Sequence, residues 1–383
     1  MKTVLVVSIA ALGLLVGLSA QEGPGQPGSE TVAKPRPKPG AQPSESAPVP
    51  SNTDGNLPKI PSKLSPKNKQ DDSGDVNFKA EANIVNVDVA VLDNHNGFIP
   101  NIPEKSFRVL EDGVPQTVTK VTTGKAPMTI AMVIEFSNRF QSFWSYGWYQ
   151  TVTAAYTFVN TLTPEDYVAI IAYDLRSEIL TDFTNDKGRV AEALQRLRIP
   201  GFSESNMFDA VCDTADRMSK IEGRKAILLL SSGIDTFSKL TYDKARKQLQ
   251  EAGVPVYPVG LLQLERTIAE ANGSLGGAAD ITFLQGDNEL RTFAKETGGQ
   301  AFFPRFLTEM PAVFGAIEES MRNQYTLTYS PTNTAKDGKF RKITVQLVNP
   351  ATNEPLKIVD QKQKPIKYQI IAKAGYKGPL AVE

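Results

Sequence analysis

A chain of 383 residues with 40% apolar content is long enough for more than one domain and can build a sizeable core. Its 42 basic and 42 acidic residues cancel, so no overall field draws it to nucleic acid or to an anionic membrane surface. One Cys and one His exclude an internal disulfide, a His/Cys zinc site, a Ser-His-Asp triad and a Cys-His pair. No Gly-Lys phosphate loop appears, and no two carboxylates are marked as a catalytic pair, so nothing points to an enzyme.

Residues 1–20, MKTVLVVSIAALGLLVGLSA, join one Lys to an apolar run that ends in small residues. The run is short for a membrane span and reads as a secretory signal cleaved after Ala20, with an uncleaved anchor as the alternative. It implies a periplasmic, cell-envelope or secreted protein. Residues 21–75 contain 11 of the 26 prolines and no aromatic residue. Such a stretch cannot bury enough apolar surface to offset its ordering entropy, and it is expected to be a disordered Pro-rich tether.

Order is expected from residue 76. In NIVNVDVAVLD, Val85, Val87, Val89 and Val91 alternate with polar or small residues, as in a half-buried strand. His95 follows in the turn sequence DNHNG and should be solvated. SFRVLEDGVPQTVTKV then carries Asp112-Gly113, which suits a hairpin. At the far end YTLTYSP, KFRKITVQLV and IKYQIIAKAGY alternate in the same way. Neither end has enough strands for a stable sheet alone, so residues 76–126 and 324–383 are expected to pair into one antiparallel β domain.

Between them, over residues 127–323, the apolar strands TIAMVIEF, DYVAIIAYD, KAILLLSS, VPVYPVGLL and QAFFP alternate with amphipathic helices. This pattern implies an α/β, doubly wound domain with a largely parallel sheet covered on both faces. Its ligand site should lie at the carboxyl ends of the strands. Cys212 shares a helical face with Phe208 and Ala215 and reads as a buried structural thiol. The Gly-rich stretch LQLERTIAEANGSLGGAADITFLQGDN, residues 262–288, reads as a surface insertion, or alternatively as a mobile flap over the strand ends.

The strand-end rule brings together Glu135, Ser137 and Arg139 from EFSNR, the loop GFSESNMFDA with Ser205, and the loop SSGIDT with Ser232 and Asp235. These loops and their order resemble a von Willebrand factor A domain. With the flanking NVDVAVLDNHNGFIP, FRVLEDGVPQ, LRTFAKETGGQAFFP and QYTLTYSPTN, the chain is similar to secreted von Willebrand A-related proteins frequent in Acidobacteria. The family's metal-ion-dependent adhesion site reads Asp-x-Ser-x-Ser, then a Thr, then an Asp in an Asp-Gly sequence. The resemblance places Glu135 at the first Asp, Ser137 and Arg139 at the two Ser positions, Ser205 at the Thr and Ser232 at the last Asp. Asp235 matches an acid often found further along that loop.

Those replacements take the formal charge of the matched positions from −2 to 0. Each unit charge about 4 Å from an ion is worth roughly 4 kcal/mol at an effective dielectric near 20. A guanidinium cannot ligate a cation or be deprotonated. The expectation is therefore a degenerate adhesion site with no metal and no cofactor: Mg²⁺ is disfavoured, and its nearest ligands would be Glu135, Ser137, Ser205 and Asp235. Arg139 would instead receive a carboxylate from a protein partner, or Glu135 and Arg139 would merely neutralise one another. FQSFWSYGWYQ follows directly. Trp144 and Trp148 share a helical stripe and read as core, while Tyr146 and Tyr149 lie off it as an aromatic rim. The resemblance implies a non-enzymatic adhesion protein that binds another protein or an envelope glycan, without nucleic acid and without membrane contact beyond the signal segment. A structural envelope component and a carboxylate-dependent hydrolase are the alternatives.

Overall fold

The computed structural model describes residues 84–381, apart from 125, 138–151, 198–201, 272, 274–276, 360 and 361. The chain divides into two units, Met1–Val76 and Asn77–Glu383, and every described residue belongs to the second. The signal, the tether, Arg139, Tyr146, Tyr149 and both Trp residues lie outside the described residues.

Four strands come first: β1 (Val85–Asp93), β2 (Phe107–Glu111), β3 (Val114–Gln116) and β4 (Val118–Thr123). Next are β5 (Met128–Glu135), a helix over residues 152–161 (α1), β6 (Tyr167–Tyr173), β7 (Ser177–Thr184) and α2 (Lys187–Gln195). α3 (Met207–Ser219), β8 (Arg224–Ser231), α4 (Tyr242–Ala252), β9 (Val256–Gly260), α5 (Leu262–Ala271), α6 (Ala278–Thr297) and α7 (Met310–Arg322) continue the alternation. β10 (Tyr325–Tyr329), β11 (Phe340–Leu347), β12 (Ile358–Val359), β13 (Pro365–Ile366), β14 (Tyr368–Ala372) and β15 (Gly375–Lys377) follow.

The central sheet has the order β7-β6-β5-β8-β9. β5 runs parallel to both β6 and β8, and β8 runs parallel to β9. β5 and β8 are buried almost end to end, as strands covered on both faces must be. Alternate residues feed two apolar layers, one packed on α1, α2 and α7, the other on α3, α4 and α6. The expected doubly wound domain is present, with two differences. SEILTDFT forms β7, antiparallel to β6, because three residues after Tyr173 are too few for a crossover and suffice only for a hairpin. QAFFP is reduced to one parallel bridge, Val259 with Phe302.

Residues 262–288 hold α5 and the first half of α6, and 272 and 274–276 between them lie outside the described residues. Gly273 and Gly277 stand in the turn between the two helices, whereas Gly286 sits inside α6, where a backbone approaches it. A Cβ on Gly233 would fall 2.6 Å from the Gly286 carbonyl oxygen, and one on Gly286 would fall 3.0 Å from the Ser232 oxygen. Cys212 is buried, and burial, followed by Asp216, Asp213 and Asp209, raises its thiol far above the ordinary value. His95 is exposed in its turn. Asp112 and Gly113 both take positive φ, 49° and 83°, and turn β2 into β3.

The two chain ends do pair. β1 lies between β10 and β14, and β2 pairs with β11. The resulting sheets, β14-β1-β10-β4 and β15-β11-β2-β3, enclose a third apolar cluster around Val87, Val89, Val109 and Leu327.

Gly298 and Gly299 end α6 for different reasons. Gly298 takes the left-handed conformation, φ 85°, whereas a Cβ on Gly299 would lie 1.9 Å from the Val256 oxygen. Gly299→Ala should therefore destabilise by on the order of 3 kcal/mol in urea unfolding. Gly315, exposed within α7, has nothing within 4 Å of an added Cβ, so Gly315→Ala should stabilise by about 0.5–1 kcal/mol.

Candidate functional site

β5, β6 and β8 end at the same level, with Glu135 opposite Tyr173 and Ile134 opposite Leu230. The apolar runs that form these strands stop there, and the polar residues that follow face one another across the strand ends. Glu135 has no exposed surface, and Ser137, Ser205 and Ser232 are buried as well. The sequence suggested polar groups opening onto a cleft; the structure closes them over.

Glu135 is the hub. Its Oε2 accepts from the Ser232 amide at 2.8 Å, from Ser232 Oγ at 2.8 Å and from Ser231 Oγ at 3.1 Å. Its Oε1 accepts from Ser137 Oγ at 3.0 Å. Ser231 in turn accepts from the Tyr173 hydroxyl at 2.8 Å and from the Gly233 amide at 2.9 Å. Ser232 Oγ also accepts from the Ile234 amide at 3.1 Å. Burial pushes the Glu135 carboxyl above its ordinary value of 4.5, against the opposing pull of Ser232, Ser137 and Ser231.

Asp235 lies outside this network. Its Oδ2 accepts from the Phe208 amide at 3.0 Å and from Ser238 Oγ at 2.5 Å, while its Oδ1 accepts from the Ser238 amide at 3.1 Å. It thus caps α3, whose own Asn206 makes no side-chain cap. Asp209 in the first turn of α3 answers by accepting from the amides of Lys239 and Leu240. Ser205 is tied to the same loop through its backbone: its amide donates to Thr236 Oγ1, and its carbonyl accepts from the Thr236 and Phe237 amides. The Ser205 hydroxyl is buried without a partner.

Glu135, Ser137 and Ser232 are therefore in direct contact, whereas Ser205 and Asp235 belong to the adjoining α3 cap. Tyr173 and Ser231 complete the cluster and were not singled out from sequence. The signal for Tyr173 was its place at the end of the strand beside β5. For Ser231 it was the doubled Ser at the end of KAILLL. Beside the cluster a cleft of about 380 Å³ opens, lined by Phe136, Asp174, Arg176, Glu178 and Phe202. Phe202 and Phe237, which flank Ser205 along the chain, are exposed.

The donor set suits a divalent ion poorly. Mg²⁺ needs near-octahedral oxygen ligands, with carboxylates to offset its charge. Here one carboxylate oxygen already accepts from Ser231, from Ser232 twice and, at 3.4 Å, from Tyr173, the other accepts from Ser137, and Asp235 is committed to α3. Among the described residues, the Ser205 hydroxyl and the neighbouring Asn206 Oδ1 are buried without a partner. Among the described residues no group of three His, Cys, Asp or Glu is placed to hold a metal.

Residues 130–305 match the family described as von Willebrand factor type A domain. Among curated proteins no sequence matches. Solved structures similar to the chain include proximal thread matrix protein 1 from the mussel byssus, 12% identical with TM-score 0.41, covering 55% of this chain and 51% of that one. The von Willebrand domain of the type V pili tip protein Mfa5 from Porphyromonas gingivalis is 14% identical with TM-score 0.39, covering 50% of this chain and 94% of that one. An aerotolerance-related membrane protein from Bacteroides fragilis is 14% identical with TM-score 0.37, covering 51% and 98%. This chain spans about half the length of the mussel protein. At these TM-scores the likenesses carry no argument about what the chain binds.

The raised Glu135 value sets a pH dependence. The unfolded chain releases this proton at a lower pH than the folded one, so the carboxyl's unfavourable contribution is absent below about 4.5 and sets in as pH rises through the folded value. Urea midpoints of the wild type should decline across that window relative to Glu135→Gln, which lacks the titrating group. Glu135→Ala strands Ser231, Ser232 and Ser137 together and should cost about 3 kcal/mol or more at any pH.

Proposed function

We propose that this chain is an exported, non-enzymatic binding protein, and that the strand-end face of its von Willebrand factor A domain recognises a protein partner without a bridging metal. The observation that carries this reading is the Glu135 carboxylate, whose two oxygens are occupied by amide and hydroxyl donors from Ser137, Ser231 and Ser232. Where the family's pattern has a second carboxylate, Ser232 donates to the first. The cluster holds one carboxylate, engaged by neutral donors, so an ion would meet one negative charge there instead of two.

Recognition then falls to what surrounds the cluster. Exposed Phe202 and Phe237 and the Arg176 cleft supply apolar and cationic contacts of the kind that dominate binding hot spots. Arg139, two residues past Ser137 in the sequence, carries a permanent positive charge that suits a partner carboxylate. Export rests on the N-terminal signal sequence. Among the described residues no helix is long and apolar enough to cross a membrane.

Extract of the source cells passed over the immobilised chain tests the reading. Capture should survive EDTA and fail with Arg139→Ala, whose folding is verified by its melting curve. Capture that needs Mg²⁺, or that ignores the substitution, contradicts it. The metal is tested separately. A thermal shift with Mg²⁺ or Mn²⁺ should stay flat for the wild type and become saturable in the triple variant Glu135→Asp, Arg139→Ser, Ser232→Asp, which restores two carboxylates. Micromolar saturation by the wild type would end the metal-free reading.

A further inference from the structure

A second surface lies away from the strand ends, where α6 passes the open side of the two antiparallel sheets. A groove of about 820 Å³ runs between the second half of α6, β11 and β14, within the range of roughly 300–1,000 Å³ usual for ligand clefts. Both strands present an edge to it. β14 is the outermost strand of its sheet. β11 is bonded to β15 only at Phe340, Arg341 and Lys342. Beyond these, the Ile343 amide reaches Ala374 and the Leu347 carbonyl is closed by Leu356. Val345 and Ile370, between these points, belong to the partly buried margin of the sandwich core.

The rim of this groove is charged with one sign. Arg291, Lys295, Lys342 and Lys373 line it against a single carboxylate, Glu296. Glu296 is already spoken for: Arg246 Nε lies 2.8 Å from each of its oxygens. Arg291 stacks over the Phe303 ring at 4.0 Å and lies 3.9 Å from Asp287. Lys295 and Lys342 pair with no carboxylate among the described residues. Lys373 differs: its amine is buried near Asp88 and Lys225, and burial lowers it from its ordinary value. One buried acceptor also waits. Gln300 lines the groove and donates its Nε2 to Asn96 at 2.8 Å, but its Oε1 has no hydrogen-bond partner.

We infer that this groove binds an extended acidic segment of a partner protein, added as a strand along the outer edge of β14. The edge runs along the five residues of β14, about 17 Å at roughly 3.3 Å per residue, and the backbone groups of alternate residues face outward from β1. Val345 and Ile370 meet alternate apolar side chains, and the carboxylates between them meet the exposed Lys295 and Lys342. A backbone amide of the added strand satisfies Gln300 Oε1. An edge strand is usually protected by its own charges. Here Lys367 and Lys373 stand only at the ends of β14, and Ile370 and Ile371 leave its middle apolar.

The test uses the full mature chain and two labelled eight-residue peptides, one alternating Glu and Val, the other Lys and Val, read by fluorescence anisotropy. The acidic peptide should bind saturably, at least tenfold more weakly in high salt and in the double variant Lys295→Glu, Lys342→Glu, and the basic peptide should not bind. Both positions are exposed, and Lys295→Gln with Lys342→Gln serves if charge reversal perturbs folding. Amide exchange over residues 368–372 should slow when the acidic peptide is bound. Absence of saturable binding, equal binding by the double variants, or protection confined to residues elsewhere would overturn the inference. So would a dimer of this chain that already protects β14 without peptide.

Discussion

The arrangement turns on one buried carboxylate. Glu135 ends the central strand, Tyr173 and the Ser231-Ser232 pair end its two neighbours, and the three meet in a single hydrogen-bonded cluster. A carboxylate taken wholly out of water costs several kcal/mol unless donors replace the solvent it lost. Three hydroxyls and one amide do so here, without any neighbouring cation among the described residues. The donors converge only because parallel strands in register bring their ends to one level.

From that cluster the order spreads outward along the loop after β8. Gly233 and Gly286 let this loop lie directly against α6, and Asp235, two residues further, caps α3. The cluster itself is buried, and exposed side chains stand at its edges. The exposed Phe side chains and the Arg176 cleft are such edges. α6 extends the same logic to the other side of the molecule. Its Gly286 touches the cluster's loop, and its Arg291 and Lys295 line the groove beside β14. One helix therefore borders two unlike regions, one closed around a buried carboxylate, the other open and cationic.

Much of the fold could be read from residues alone because the signals were local. The continuous apolar runs of β5 and β8 announced buried parallel strands, and the alternation in β1 and β10 announced half-buried antiparallel ones. Two features were not visible locally. Gly286 serves a close backbone approach inside a helix, which no local pattern reports. SEILTDFT has neither clean alternation nor an apolar run, so β7 was visible only through its pairing with β6.

For the site, the chain sequence determined the chemistry: one carboxylate, several hydroxyls, and a cation where the family's pattern has oxygen ligands. Residue type is set by the gene and needs no fold to be known. What tertiary structure decided is connectivity. Glu135 and Ser232 stand 97 positions apart and touch, while Asp235, close to Ser232 in sequence, turns away to the end of α3. A hydrogen bond depends on distance and direction in space, and those are properties of the packed sheet and helices rather than of any stretch of chain. The groove beside β14 belongs to the same class, since α6, β11 and β14 come together only once the core between them has formed.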